Sequence, residues 1–237
     1  SASLAREQVS AEIPNDVNQT SFLVNEHTRD QELYNTPPKI GTTGPLTVTT
    51  KSCVLVPVDI EHHLSIPLTL VDVHCREEQL PFAYFFKTSL SQTDLLSSLR
   101  RVLKSFPMLG GIIDWTELTI RVAPNEGSVN ISFGESPGTA EEWARMGQHG
   151  LANGRSPSIM GLFDPLESRE IDTPPPLATV RVTYLGCGGT AIGINLSHSL
   201  ADASSCFRFV QCWSREMRGL KYPIPCVVGM NERSSAT

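Results

Sequence analysis

The sequence predicts an α+β fold in which helices pack against a mixed β-sheet. Two apolar, β-branched runs at 178–185 and 190–197 are joined by the short segment 186–189, which reads GCGG, as expected for adjacent paired strands. Apolar residues recur with helical spacing at 92–104 and 203–218. The chain has 237 residues, 40% of them hydrophobic, which is enough to bury a sizeable core.

The first predicted elements follow the polar beginning of the chain. The run 54–58 predicts a short strand, and the apolar, β-branched run 67–74 predicts a second strand. A helix is predicted over 92–104, because Pro107 and the glycines after it end the helical pattern. The apolar face of this helix consists of Leu95, Leu96, Leu99, Val102, Leu103 and Phe106.

The middle of the chain carries a turn signal and a helix start. The segments 118–122 and 129–133 are predicted strands on either side of 124–127, which reads PNEG and predicts a hairpin. Thr139 and Glu142 have the spacing of a capping box, which predicts a short helix after them. Residues 151–176 are rich in proline and are predicted to form loops.

The last third of the chain combines the strand pair with a turn and a helix. The strands at 178–185 and 190–197 are followed by a turn that contains His198, and then by the helix over 203–218, which Gly219 ends. The predicted apolar stripe of that helix consists of Ala203, Cys206, Phe207, Val210, Trp213 and Met217.

Composition and charge bound the domain organisation and the function class. Residues 1–50 are polar and aperiodic and are predicted to be an N-terminal extension, 51–220 the globular domain, and 221–237 a C-terminal tail. The net charge of −6 and the lack of a basic patch argue against nucleic-acid binding, and no apolar run is long enough to cross a bilayer. The six scattered cysteines predict reduced thiols in an intracellular compartment, the cytoplasm by default or an organelle after removal of a targeting peptide.

His198 is the candidate catalytic residue. Acyl transfer to a hydroxyl or amine needs a base that accepts the acceptor's proton, and the ordinary pKa of histidine suits that task near neutral pH. His198 lies at the end of a predicted strand, where the backbone is held firmly. Asp202, four residues later, is placed to cap the following helix and to fix the turn that orients the histidine ring.

Four segments in the same order resemble the BAHD acyltransferase family. The run from Tyr184 to Gly193, continuing through His198 to Asp202, is similar to that family's CGG hairpin and SHxxxDG motif. The other matching segments are His63-Leu64-Ser65 with the downstream Asp72, the helix ending Phe106-Pro107-Met108-Leu109-Gly110-Gly111, and Asn125-Glu126-Gly127. The similarity extends over roughly residues 52–220.

The resemblance implies a fold, a reaction and roles for two residues. The fold is the chloramphenicol acetyltransferase-like two-layer α+β sandwich. The reaction transfers an acyl group from coenzyme A to a hydroxyl or amine acceptor, with acyl-CoA as cosubstrate and no permanently bound cofactor. His198 is then the general base and Asp202 the structural support of the site, while the residues that bind the cosubstrate are not identified.

Two departures from the family pattern bear on activity. Position 203 is alanine where the family usually has glycine. Family members are about twice as long and contribute a DFGWG motif from a second domain, whereas this chain resembles the N-terminal half only. The site is therefore predicted to need a second half or a neighbouring subunit, as in the trimeric chloramphenicol acetyltransferases. Whether the isolated chain is an active enzyme stays open.

The sequence also allows a function other than acyl transfer. The alternative function is a non-catalytic structural or linker subunit of a larger complex, built on a truncated acyltransferase-like domain. His62, His63 and His74 fit no zinc-ligand spacing, so no metal site is predicted. The lack of a GxSxG motif argues against a serine hydrolase.

Overall fold

The computed structural model describes residues 46–153, 159–167 and 174–224, and it confirms an α+β arrangement with a mixed sheet. The strands are β1 (Thr49–Pro57), β2 (Leu64–Pro67), β3 (Gln79–Phe86), β4 (Ile112–Asp114), β5 (Thr119–Val122), β6 (Ser128–Ser136), β7 (Ala178–Leu185) and β8 (Thr190–Ser197). The helices are α1 (Leu70–His74), α2 (Gln92–Leu103), α3 (Ala140–Asn153) and α4 (Ala203–Met217), with 3₁₀ turns at Pro107–Gly110 and Ile159–Leu162.

In the larger sheet, strand β8, which leads into the turn that contains His198, lies next to the edge strand. Its five strands lie in the order β1-β6-β7-β8-β3, and a smaller sheet has the order β2-β5-β4. Strands β6 and β7 are parallel, while the other neighbours in the large sheet are antiparallel. The predicted β7–β8 pair is confirmed. Its turn requires glycine at position 188, where φ is +81°.

Helices α2 and α4 cover one face of the large sheet. The α2 boundaries agree with the prediction within one residue, and the side chains that α2 buries are Leu95, Ser98, Leu99, Val102 and Leu103. The two helices are joined by a hydrogen bond from the Trp213 indole Nε1 to the Ser98 hydroxyl, at 3.0 Å. This face holds the main apolar core of the described residues.

The predicted apolar stripe of α4 is partly wrong. Cys206 and Trp213 are buried as predicted, but Phe207 is 43% exposed, and Phe209 and Cys212 are buried in its place. The helix is rotated so that Phe209 packs between Phe106 and Trp213. Neighbouring α2 thus selects the buried face of α4, a tertiary effect that helical periodicity alone does not contain.

The opposite face of the sheet is covered by α3 and the 3₁₀ turn Ile159–Leu162. The predicted capping box is confirmed, since the Glu142 amide donates to the Thr139 hydroxyl at 3.2 Å and the Thr139 amide donates to the Glu142 carboxylate at 2.8 Å. The 3₁₀ turn lies so close to β8 that a Cβ at Gly193 would be 1.9 Å from the Leu162 carbonyl oxygen. Only glycine fits at that crossing.

A buried ion pair fastens this second layer to the sheet. The Asp164 carboxylate accepts hydrogen bonds from the Arg181 guanidinium and from the Ser132 hydroxyl, each at 2.5 Å. Its backbone carbonyl accepts from Thr179 and from the Asn195 side-chain amide, at 2.8 and 3.1 Å. Asp164 therefore links the segment after the 3₁₀ turn to three strands of the sheet, including β8.

The strand predicted over 67–74 is wrong beyond its first residue. The extended strand β2 ends at Pro67, and residues 70–74 form the short helix α1. Thr69 and Asp72 make a capping box, with hydrogen bonds of 3.2 and 2.7 Å between each side chain and the other residue's amide. This Thr-x-x-Asp signal starts the helix and outweighs the β-branched content of the segment.

The hairpin predicted over 118–133 is also wrong. Strand β5 pairs with β2 and β4 in the small sheet, whereas β6 pairs with β1 and β7 in the large sheet. The turn signal itself is genuine, because Asn125 has a φ of 65°. The chain leaves the turn toward the other sheet, where the Gly127 carbonyl accepts a hydrogen bond from the Val58 amide at 2.9 Å.

The predicted domain boundaries extend beyond the described residues. Most of the 1–50 segment lies outside them, and β1 already begins at Thr49, preceded by Leu46 and Val48, which pack against the second-face core. The tail from 225 onward and parts of the 151–176 loops also lie outside. Within the described part, no helix is long and apolar enough to cross a membrane.

Candidate active site

His198 lies in the turn between β8 and α4, where the sequence places it. Its backbone amide donates to the Glu78 carbonyl at 3.0 Å. This bond continues the antiparallel ladder, in which Ser197 is opposite Gln79. The turn is closed by the Leu200 amide, which donates to the Ser197 carbonyl at 3.0 Å. The backbone of the candidate base is therefore held by the edge strand β3 as well as by its own strand.

The His198 imidazole is accessible and has a carboxylate beside it. The side chain is 29% exposed, and its Nε2 lies 3.9 Å from Oε2 of Glu78, whose side chain is 60% exposed. Both groups are partly exposed, so solvent screens the interaction between them. The ring can therefore exchange a proton with a group that approaches from solvent.

Asp202 occupies the N-cap of α4. Its carboxylate accepts a hydrogen bond from the Ser205 amide at 2.7 Å. Hydrogen bonds from the Ser205 hydroxyl and amide lower the pKa of Asp202, and nearby His198 lowers it further. Asp202 thus fixes the start of α4, so it can shape the turn that holds His198 without touching the ring.

A second fastening of the turn was not foreseen from the sequence. Ser199 is almost completely buried, and its hydroxyl donates to the Asp72 carbonyl of α1 at 2.7 Å. The short helix α1, predicted as part of a strand, thereby braces the turn from the side. A serine after a histidine gives no signal of this contact, because its partner lies far away along the chain.

Cys75 and Glu78 complete the surroundings of His198, and neither was predicted. One ligand-type atom from each of Cys75, Glu78 and His198 lies within 4.8 Å of the others. Burial raises the pKa of the Cys75 thiol, and the adjacent Glu78 carboxylate raises it further. The register of β3 against β8 brings these residues together, and register cannot be read from either strand alone.

A cleft of about 370 Å³ adjoins this turn. Its lining includes Ser197, Glu78 and Arg76, and also the prolines 174–176. The Arg76 guanidinium lies over the Trp115 ring, 5.7 Å from its centroid. The volume falls at the lower end of the range of small-molecule sites. The cleft offers apolar walls and a cation, and it reaches Ser197, the residue before the candidate base.

Comparison with known proteins identifies the family. A protein-family model described as "Transferase family" matches residues 45–234. The chain belongs to this family, the BAHD acyltransferases. The resemblance inferred from the sequence motifs is thereby confirmed.

The fold of this BAHD chain agrees with that of solved structures. A crystal structure of vinorine synthase matches it with a TM-score of 0.59 and 19% identity, covering 79% of this chain and 47% of the other. F. graminearum TRI101 complexed with ethyl coenzyme A matches with a TM-score of 0.50 and 14% identity, covering 68% and 41%. These matches confirm the predicted chloramphenicol acetyltransferase-like fold.

Curated BAHD relatives are longer than the chain. Putrescine hydroxycinnamoyltransferase 2 of Oryza sativa subsp. japonica is 29% identical over 168 residues, which cover 64% of this chain and 49% of the relative. Hydroxycinnamoyltransferase of Narcissus pseudonarcissus is 23% identical over 154 residues, covering 61% and 33%. The chain thus spans at most about half the length of these relatives.

Proposed function

We propose that this chain is the base-bearing half of an acyltransferase that moves an acyl group from coenzyme A to a hydroxyl or amine acceptor. The observation that carries the proposal is the position of His198. Its ring is accessible, while its backbone amide is held by the Glu78 carbonyl. The Ser199 hydroxyl holds the same turn through its hydrogen bond to the Asp72 carbonyl of α1. A base must be held in one place and yet reach its substrate, and this turn meets both requirements.

The reaction assigns one proton-transfer task to His198. The imidazole accepts the proton of the acceptor hydroxyl or amine as that group attacks the thioester carbonyl of acyl-CoA. The new ester or amide bond forms as the carbon–sulfur bond breaks, and the protonated imidazole returns the proton to the departing CoA thiolate. The Glu78 carboxylate lies 3.9 Å from Nε2 of the ring. Asp202 supports the site through the helix that it caps.

Family membership supports acyl-CoA as the cosubstrate, and so does the structural match to TRI101, which was crystallised with ethyl coenzyme A. The names of the relatives point to hydroxycinnamoyl groups as donors and to amines such as putrescine among the acceptors. We infer the same classes for this chain. Use of acyl-CoA also supports the inferred intracellular, reducing compartment.

We further infer that a second half or a neighbouring subunit completes the site. The chain spans about half of its relatives. Strand β3, which begins directly after Glu78, is an edge strand of the large sheet. The adjacent cleft is lined in part by the prolines 174–176. A second protein surface over this edge would exclude water from the thioester and close the acyl-CoA channel.

The test combines binding and turnover. Calorimetry measures acyl-CoA binding to the 237-residue chain, and release of free CoA thiol in the presence of hydroxyl and amine acceptors measures turnover. His198→Ala is expected to keep binding and to lower turnover about 100- to 10,000-fold. The matched control is His74→Ala, because His74 is an exposed histidine of α1 and lies outside the turn.

The outcomes separate the readings. Turnover that is lost in His198→Ala and retained in His74→Ala supports the catalytic proposal. Equal turnover in both variants contradicts the role of His198. Binding without turnover in the unaltered chain favours a half that needs completion, and a trimer in solution would then point to neighbouring subunits. A lack of both binding and turnover contradicts a stand-alone enzyme and favours the non-catalytic structural subunit.

A further inference from the structure

We propose that Cys75, Glu78 and His198 form a site for a zinc ion, and that zinc bound there withdraws the His198 imidazole from proton transfer. One ligand-type atom of each residue lies within 4.8 Å of the other two. Cys75 has no task in the acyl-transfer chemistry. The site itself is inferred from geometry, and only its effect on the reaction rests on the proposed function.

The set of ligand atoms matches the preferences of zinc. Zinc binds thiolate sulfur, imidazole nitrogen and carboxylate oxygen with bond lengths of about 2.0–2.3 Å, so ligand atoms in a tetrahedral site are separated by about 3.3–3.6 Å. His198 Nε2 and Glu78 Oε2 are already 3.9 Å apart. The three separations, all within 4.8 Å, exceed zinc distances by at most about 1.5 Å, a gap that side-chain rotation can close.

The backbone holds the three ligand residues in a single hydrogen-bonded chain. The Glu78 amide donates to the Cys75 carbonyl, and the His198 amide donates to the Glu78 carbonyl, each at 3.0 Å. Each ligand residue is therefore bonded directly to the next. The backbone positions of the three ligand residues are therefore fixed before a metal binds, and only the side chains would need to adjust.

Charge and burial also suit a divalent ion with one open position. Binding would convert the Cys75 thiol to a thiolate and release one proton to solvent, so a thiolate and a carboxylate would balance the two positive charges of zinc. Cys75 is 9% exposed, whereas the Glu78 side chain is 60% exposed. The ion would thus be anchored on the inner side and open to water on the outer side, as in three-ligand zinc sites.

A cysteine beside a histidine can instead serve as a nucleophile, but this pair does not fit that role. A nucleophilic cysteine needs a lowered pKa and electropositive surroundings. Burial and Glu78 both raise the pKa of Cys75. A metal ion supplies the positive charge that this thiol lacks, whereas the protein alone surrounds the thiol with negative charge.

The consequence for catalysis follows from the imidazole lone pair. The Nε2 atom that would coordinate zinc is the atom that lies next to Glu78. A coordinated nitrogen has no lone pair with which to accept a proton. Zinc would therefore inhibit acyl transfer, and a chelator would restore it.

The test uses the untagged 237-residue chain after removal of metal by a chelator. Titration with Co²⁺ is expected to produce the near-ultraviolet thiolate-to-cobalt absorption band at one ion per chain, and added Zn²⁺ to abolish it. Calorimetry with Zn²⁺ is expected to show affinity that falls more than about tenfold in each of Cys75→Ser, Glu78→Gln and His198→Ala. The matched controls are Cys187→Ser, Glu77→Gln and His74→Ala, three exposed neighbours or counterparts of the same residue types.

A measurement on the unaltered chain guards against variants that fail to fold. Zinc is expected to protect Cys75 from alkylation, as read by mass spectrometry, and to leave the exposed Cys187 reactive. Lack of the cobalt–thiolate band, unchanged labelling of Cys75, or loss of affinity in the controls as large as in the ligand variants would overturn the site. These readouts need no turnover, so they stand or fall separately from the acyltransferase proposal.

Discussion

The two faces of strand β8 have different compositions. On the face beneath α2 and α4 the strand presents Ile192, Ile194 and Leu196, all in the main apolar core. The alternate residues on the opposite face include Gly193 and Asn195, which contact the segment around Asp164. One face is held by apolar burial, which has little directional preference. The other is held by close backbone contact and by hydrogen bonds, which fix position.

Because its two faces differ, strand β8 can both stabilise the fold and position a residue. Apolar packing tolerates small shifts, whereas the Asp164 hydrogen bonds and the tight crossing at Gly193 do not. His198 follows directly from this strand. We therefore expect both faces to contribute to the free energy of unfolding, and the Asp164 face to dominate the precision of the turn.

Breaking the ion pair on the Asp164 face is expected to give the largest effect. Asp164→Ala leaves the Arg181 guanidinium buried without its partner, which should lower the free energy of unfolding by about 3–5 kcal/mol. Urea denaturation measures this change. Amide hydrogen exchange at Asn195 to His198 should also accelerate, because β8 loses its fastening to the second layer. The double variant Asp164→Leu with Arg181→Met should recover most of the stability; if it does not, the buried charge is not the cause.

Truncating the helix-covered face should cost slightly less stability and leave the turn more intact. Ile194→Ala creates a cavity in the main core and should lower the free energy of unfolding by about 2–4 kcal/mol. The exposed Ile112 provides the control, since Ile112→Ala should change stability by less than about 0.5 kcal/mol. If native-state exchange at His198 accelerates as much in Ile194→Ala as in Asp164→Ala, then the two faces do not divide their tasks.

Removing the helix cap after His198 should have the smallest effect on stability. Asp202→Ala is expected to lower the free energy of unfolding by about 1 kcal/mol, through loss of the hydrogen bond to the Ser205 amide. The pKa of Asp202 is lowered in the folded protein, so the contribution is fully present above the unfolded pKa of about 4 and is lost as pH falls through the folded value. The difference between the two proteins should therefore shrink in acid; a difference that grows with acidity contradicts this account.

Features encoded locally could be predicted from the sequence. The β7–β8 pair, the bounds of α2, the capping box at Thr139 and the cap at Asp202 each depend on residues within a few positions of one another. The segment 67–74 also carries a local signal, because the capping box of Thr69 and Asp72 indicates a helix where the apolar, β-branched content indicates a strand. Local signals are therefore sufficient to predict these elements when all of them are taken together.

Features that depend on distant pairing could not be predicted. The turn at Asn125 was recognised, but the partners of the strands beside it belong to different sheets. The buried position of Phe209 depends on how α4 lies against α2. The surroundings of His198 could not be predicted for the same reason, since Cys75 and Glu78 reach it only through the register of β3 against β8. The location of His198 in the turn before α4 could be predicted because its motif is continuous in the sequence.

The pairing of Gln79 with Ser197 also has a consequence for the order of folding. Strands β3 and β8 are far apart in the chain, so their pairing must overcome a large loop-closure entropy and belongs among the non-local contacts that make folding slow. Until that pairing forms, Glu78 and His198 are unconnected. A nascent chain can therefore complete α2 and the β7–β8 hairpin while it still lacks the site, and exchange protection of the His198 amide would mark the moment at which the candidate active site comes into existence.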